Sequence, residues 1–125
     1  MFEIDPMSRI PIYKQLIDRI ETLILRGVLR PGDKLPSTRQ MSCQLSVNPN
    51  TIQKAYSELL LRNVISTAPG RGCFVSEQAV EILGETRRAG LTELEKQVTE
   101  LAQAGVSRKE LISLIEQVYE KENRQ

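Results

Sequence analysis

Three observations along this 125-residue sequence predict a mainly α fold that carries one small β-hairpin. Apolar residues recur at helical spacing from Ile12 to Tyr119. Two β-prone runs, Asn63–Thr67 and Cys73–Val75, flank the turn-forming Ala68-Pro69-Gly70-Arg71-Gly72. Ser, Thr or Asn stands at the head of four helical stretches, at Ser37, Asn48, Thr92 and Ser107, where a side chain can accept an unpaired backbone N–H.

Residues 1–11 read as an extended lead-in, because Pro6 and Pro11 discourage helix before Ile12. The first helix is predicted over Ile12–Arg26, with Ile12, Leu16, Ile20, Leu23 and Ile24 on one face and Lys14, Asp18, Arg19 and Glu21 polar. Gly27 can end it in a left-handed cap. Val28 to Pro36 is a connector around a Pro-Gly turn, with room for a small strand. Ser37 and Gln40 have capping-box spacing and open a second helix to about Leu45, turned inward through Met41, Leu45 and either Cys43 or Gln44.

Leu45-Ser46-Val47 leads directly into the third helix, Asn48–Leu59. Asn48 caps it, and Pro49 suits the first helical position because its missing donor would be unpaired there anyway. Ile52, Ala55, Tyr56 and Leu59 form the inward stripe. Asn50, Thr51, Gln53, Lys54 and Ser57 are left outward, and their amides, hydroxyls and ammonium suit base edges and phosphates. Two helices meeting through so tight a turn have helix-turn-helix spacing, which helical hairpins without a nucleic-acid role share. The hairpin behind them reads as a wing. Gly70 and Gly72 permit positive φ, and Arg71 at the tip is placed for a narrow minor groove or a phosphate. A phosphate-binding P-loop is excluded, since Gly-Lys-Ser/Thr is missing and no helix starts there.

From Ser76 the character becomes acidic and helical. Glu77–Arg88 carries Val80, Ile82 and Leu83, and Gly90 is expected to break that segment. Thr92 and Glu95 form a second capping box, opening a helix with Leu91, Leu94, Val98, Leu101 and Ala102 on one side until Gly105. Ser107 and Glu110 open the last helix, striped by Leu111, Leu114, Ile115, Val118 and Tyr119, with Lys121–Gln125 expected to fray. The 49 residues from Glu77 on are too few to enclose a ligand. Their stripes need a cover, and the same region of a second chain is the economical one. Leu94, Val98, Leu101, Leu111, Leu114, Ile115, Val118 and Tyr119 are therefore the expected dimerisation residues, with some of the surface free to pack on the first helix. The expected organisation is a winged helix-turn-helix domain over 1–76 and a helical dimerisation region over 77–125.

The formal net charge of +1 conceals an asymmetry. Residues 1–76 hold ten Lys and Arg against six Asp and Glu, net +4, and residues 77–125 hold seven against ten, net −3. A basic front half can meet phosphates while an acidic back half stays off them. There is no histidine, which removes the commonest general base and metal ligand. Neither Cys43 nor Cys73 has a CxxC partner, so both are expected as small buried hydrophobes in a reducing compartment. No cofactor, metal or enzymatic activity is expected. No apolar run reaches the length of a membrane span and the N-terminal residues lack a signal-peptide pattern, so a cytoplasmic, membrane-free protein is expected.

With these residues in view, the chain resembles the GntR family of transcription regulators. The resemblance covers about Pro11 to Val75 and rests on four stretches in order. They are Pro11-Ile12-Tyr13-Lys14-Gln15, the run from Gly27 through Pro31-Gly32-Asp33-Lys34-Leu35-Pro36-Ser37-Thr38 to Arg39, Val47-Asn48-Pro49-Asn50-Thr51-Ile52, and Gly70-Arg71-Gly72-Cys73-Phe74-Val75. The Asn-Pro-Asn-Thr start and the short two-helix tail are similar to the YtrA subfamily, whose members lack the large effector-binding domain of other branches. The resemblance implies DNA contacts at Arg39, Asn48, Asn50, Thr51 and Gln53, backbone contacts at Lys54 and Tyr56, and a wing tip at Arg71 and Gly72. Many branches carry a guanine-reading arginine at the position of Pro49; proline cannot make that contact, which leaves Arg39 as the guanine reader. The implied partners are double-stranded DNA and a second copy of the chain, on a palindromic operator that the homodimer would occlude as a repressor; the effector is unknown. Two other classes fit the residues: a small-ligand or redox sensor acting through the C-terminal helices or Cys43 and Cys73, and a winged helix used for protein interaction.

Overall fold

The structure, a computed structural model, describes residues 1–124 and falls into two compact units, Met1–Thr86 and a second beginning at Arg87. The first unit contains α1 (Ile12–Leu25), α2 (Thr38–Leu45), α3 (Pro49–Leu61), β1 (Ile65–Ala68) and β2 (Gly72–Val75). Then come α4 (Ala79–Arg88), which crosses the boundary, α5 (Gly90–Gln103) and α6 (Arg108–Asn123). The first unit is a winged helix-turn-helix.

Local chemistry sets most element ends. Gln15 ties the lead-in to α1: its Oε1 accepts from the Asp5 N–H at 2.7 Å and its Nε2 donates to the Asp5 and Ile10 carbonyls. Gly27, at φ +78°, turns the chain out of α1. The Ser37 capping box is complete, with Gln40 N–H on Ser37 Oγ and Ser37 N–H on Gln40 Oε1. Ser46 adopts the left-handed conformation at the end of α2, and Ser42 Oγ donates to the Val47 carbonyl across the turn.

The core gathers Leu16, Ile20 and Ile24 of α1, Leu35, Met41 of α2, the α3 stripe Ile52, Ala55, Tyr56 and Leu59, and Val64, Ile65 and Val75 of the wing. Fully burying each large aliphatic contributes about 1.5–3 kcal/mol. Tyr56 is 2% exposed, and its hydroxyl donates to the Pro36 carbonyl at 2.6 Å, joining α3 to the residue before the α2 cap. Asn63, at φ 61°, reverses the chain after α3, and Ser76 Oγ closes the wing root on the Asn63 carbonyl. In the hairpin Ile65 pairs with Val75 and Ala68 with Gly72. The small strand expected in the connector is a single bridge, Lys34 to Phe74.

Several expectations are corrected. Glu21, set apart from the apolar stripe as polar, is nonetheless 6% exposed because it lies on the α1 face that packs inward, and it pairs with Arg62 at 2.8 Å from just beyond α3. Cys43, read as buried, is exposed. Ala79 and Leu83 of α4 are buried in the first unit, which therefore runs ten residues past Ser76. The helical path is interrupted beside Gly90 as expected, with α4 ending at Arg88, but α5 begins at Gly90 itself, two residues before Thr92. Thr92 consequently sits inside a helix, where its side chain cannot act as an N-cap, and α5 starts without a side-chain cap. Ser107 does cap α6, accepting the Glu110 N–H at 3.2 Å, and the helix continues past Lys121 to Asn123; Gln125 lies outside the described residues.

No residue of α5 or α6 is buried. Leu101, Val106, Leu111 and Leu114 line an open groove of about 690 Å³ within the second unit. Among the described residues no helix is long and apolar enough to cross a membrane.

The Tyr56 bond makes a stability prediction. Burial, aided by nearby Cys73, pushes the phenol above its ordinary range. The folded state thus holds the proton more tightly than the unfolded chain, so this contribution is complete below about pH 10 and is lost as pH rises further. Tyr56→Phe is expected to lower unfolding free energy by about 1–2 kcal/mol at neutral pH. Urea titrations at neutral and alkaline pH should show the wild type losing stability more steeply above that point than the phenylalanine variant.

Candidate nucleic-acid interface

Between Lys34 and Ser76 the chain carries five Lys or Arg and one acid, Glu58, net +4, so this stretch accounts for the whole charge excess of the front half. The stretch folds into α2, α3 and the wing, and its outward groups sit in three places: the start of α2, the polar side of α3 and the hairpin tip. Concentrated positive charge of this kind is the electrostatic footprint of a phosphate-binding face.

Arg39, in the first turn of α2, is exposed and makes no hydrogen bond or ion pair among the described residues. Its guanidinium is free for a bidentate acceptor. Asn48 spends its Oδ1 on the Asn50 N–H at 2.8 Å, which caps α3 and leaves its amide NH₂ to reach outward. Pro49 occupies the first helical turn, fully in line with its expected place, and presents only an apolar ring. Asn50 is exposed and Thr51 half-buried beside it.

Gln53 is held from both ends. Its Oε1 accepts from Thr38 Oγ1 of α2 at 3.4 Å and its Nε2 donates to Ser57 Oγ at 3.1 Å, so the acceptor and donor ends of the amide have set directions while each keeps one capacity unused. Lys54 rests its ammonium 4.1 Å from the ring centroid of Tyr13, a cation–π contact that ties it to α1. Neither partnership was read from the sequence. The four-residue spacing of Gln53 and Ser57 is a local signal for one of them, whereas nothing local links Lys54 to Tyr13.

At the wing tip, Arg71 is exposed and unpaired among the described residues, and its N–H closes the turn on the Ala68 carbonyl at 2.8 Å. Gly70 and Gly72 take φ +75° and +109°, values that an L side chain would strain. Tyr56 is removed from the candidate contacts, because its ring is in the core and its hydroxyl is committed to Pro36. Cys73 is half-buried, and burial pushes its thiol up, which reduces the reactive thiolate.

The family model described as bacterial regulatory proteins, gntR family, matches residues 12–75, from the start of α1 to the end of β2. The chain belongs to this family. It is 40% identical over 119 residues to the HTH-type transcriptional repressor YtrA of Bacillus subtilis (strain 168), covering 94% of this chain and 92% of that relative. The fold is similar to the crystal structure of a transcriptional regulator from Oenococcus oeni, with TM-score 0.75 and 31% identity over 95% of this chain and 99% of that one. It is also similar to AraR(DBD) in complex with operator ORX1, with TM-score 0.53 and 29% identity over 59% of this chain and 92% of that one.

For this gntR-family chain the geometry separates two asparagines that the family resemblance names alike as DNA contacts. Asn48→Ala is expected to lower stability by about 1 kcal/mol through loss of the α3 cap. Asn50→Ala, whose side chain is exposed, should stay within about 0.5 kcal/mol of wild type. Urea unfolding of the two variants side by side checks the distinction.

Proposed function

We propose that the chain is a sequence-specific DNA-binding transcription repressor, acting as a homodimer on a palindromic operator. The observation that carries the DNA-binding part is the acid-poor face on which Arg39, the held amide of Gln53 and Arg71 are all exposed. In this reading α3 enters a major groove, with Asn48, Asn50, Thr51 and Gln53 toward base edges. Arg39 reads guanine from α2, Lys54 meets the backbone, and Arg71 with Gly72 forms the wing contact. Pro49 packs apolar surface against the groove and supplies no hydrogen bond. The repressor name of the Bacillus subtilis relative supports the sign of regulation, and the operator-bound AraR(DBD) supports the ligand.

The second unit supplies the symmetry in this proposal. Leu94, Leu101, Leu114, Ile115, Val118 and Tyr119 are all exposed, and Val98 and Leu111 are half-buried, so this unit leaves most of its apolar surface uncovered. A second copy would cover it through a self-complementary patch and set the spacing of two half-sites. The domain boundary for the DNA-binding part is then best placed near Thr86, with the dimerising helices beyond it.

Selection of duplexes from a random pool by the purified protein tests the reading: enrichment of an inverted repeat supports it, and a flat selection with no preferred sequence overturns it. On the selected duplex, Arg39→Ala is expected to lose roughly 1–3 kcal/mol of specific binding and to relax preference at one position in each half-site. Leu114→Glu combined with Val118→Glu should convert a dimer to a monomer by sedimentation and weaken binding to the full inverted repeat by about 100-fold.

A further inference from the structure

The wing carries a second cation besides Arg71. Lys34 lies opposite Phe74, with the Leu35 N–H on the Cys73 carbonyl at 2.9 Å and the Val75 N–H on the Asp33 carbonyl at 2.8 Å, so the connector lies antiparallel to β2 at this one bridge. Residues directly opposite on an antiparallel ribbon share a face, and so do residues two apart on one strand. Lys34, Phe74 and Gly72 therefore share a face. From its place beside Phe74 the lysine stem runs toward the tip: a methyl group at Gly72 would stand 3.1 Å from Lys34 Cε and 3.9 Å from its Nζ. The missing side chain thus leaves a lane that brings the ammonium up beside the residue adjoining Arg71.

That ammonium is uncommitted. Lys34 is exposed and makes no hydrogen bond or ion pair among the described residues. Its acidic neighbour Asp33 directs a carboxylate oxygen to the Arg30 N–H at 2.8 Å. A lysine whose stem is laid along a strand while its head stays in solvent is a point charge suited to phosphate.

We infer that Lys34 and Arg71 form a two-cation clamp on the wing, in which the Lys34 ammonium takes a DNA phosphate of its own; this rests on the DNA-binding reading above. Gly72 then has two duties, the positive φ of the turn and the open lane for the lysine stem. Lys34→Gln tests the clamp, because it keeps most of the stem and removes the charge.

Binding is titrated over a range of salt on the selected duplex and on an unrelated one. The slope of log affinity against log salt is expected to shrink by about 0.9 on both, the share of one neutralised phosphate. Lys34→Arg should retain the wild-type slope, and Lys34→Gln combined with Arg71→Ala should lose more slope than Arg71→Ala alone. An unchanged slope in Lys34→Gln overturns the clamp, as does a lowered melting temperature with the slope intact, which would assign Lys34 to packing. A wild type that binds every duplex alike sinks the sequence-specific reading while the Lys34 slope is still read on unrelated DNA. A wild type that binds no duplex at low salt sinks both.

Discussion

The hydrogen bond from the Tyr56 hydroxyl to the Pro36 carbonyl couples the parts of the first unit that must keep a common spacing. The ring belongs to the buried stripe of α3, and the carbonyl belongs to the residue before the Ser37 cap of α2. One side chain therefore sets where α2 begins relative to α3. The same connector, two residues earlier, lies along β2. A shift of α3 in the core would be felt both at Arg39 and at the wing. A buried hydroxyl without its acceptor is costly, so the arrangement tolerates little drift. The Glu21–Arg62 pair fastens the opposite end of α3 to α1 at 2.8 Å.

Much of this was legible because the signals are local. A Ser or Asn cap acts over two or three residues of backbone, and Ser37, Asn48 and Ser107 cap the helices they were expected to cap. The α3 stripe was equally plain, since Ile52, Ala55, Tyr56 and Leu59 repeat at helical spacing. Thr92 shows the limit of such signals. Its capping spacing is correct, but a cap forms only where the capping residue itself leaves helical geometry, and Thr92 lies inside α5, which begins at Gly90. The partnerships of Glu21 and Lys54 were hidden for another reason: Arg62 and Tyr13 lie 41 residues away in each case, so no window along the chain contains both members. Tyr56 drew two opposing expectations, the stripe placing it inside and the family resemblance placing it on the DNA backbone. Burial decided between them.

The distribution of charge explains how a nearly neutral chain can present a phosphate-binding face. Excess positive charge is confined to the stretch that builds α2, α3 and the wing, where Glu58 is the single acid. Opposite charge is placed in the later helices, so the two halves compensate in sum while each keeps its own sign. Pro49 gives the start of α3 no charged side chain, and the arginine that precedes it along the chain is Arg39 of α2.

Gln53 divides the exposed face into two kinds of group. Its amide has a partner at each end, Thr38 and Ser57, whereas the exposed side chains of Arg39 and Arg71 make no hydrogen bond or ion pair among the described residues. During a one-dimensional search along DNA, freely swinging cations can pass from phosphate to phosphate with little change in energy, which favours sliding. In the proposed reading, an amide partnered at both ends gains nothing until the correct base arrives beneath it. In the proposed reading, scanning and halting fall to different side chains of one small fold, so residence on a site would be lengthened through Thr38 or Ser57 without slowing the travel that reaches it.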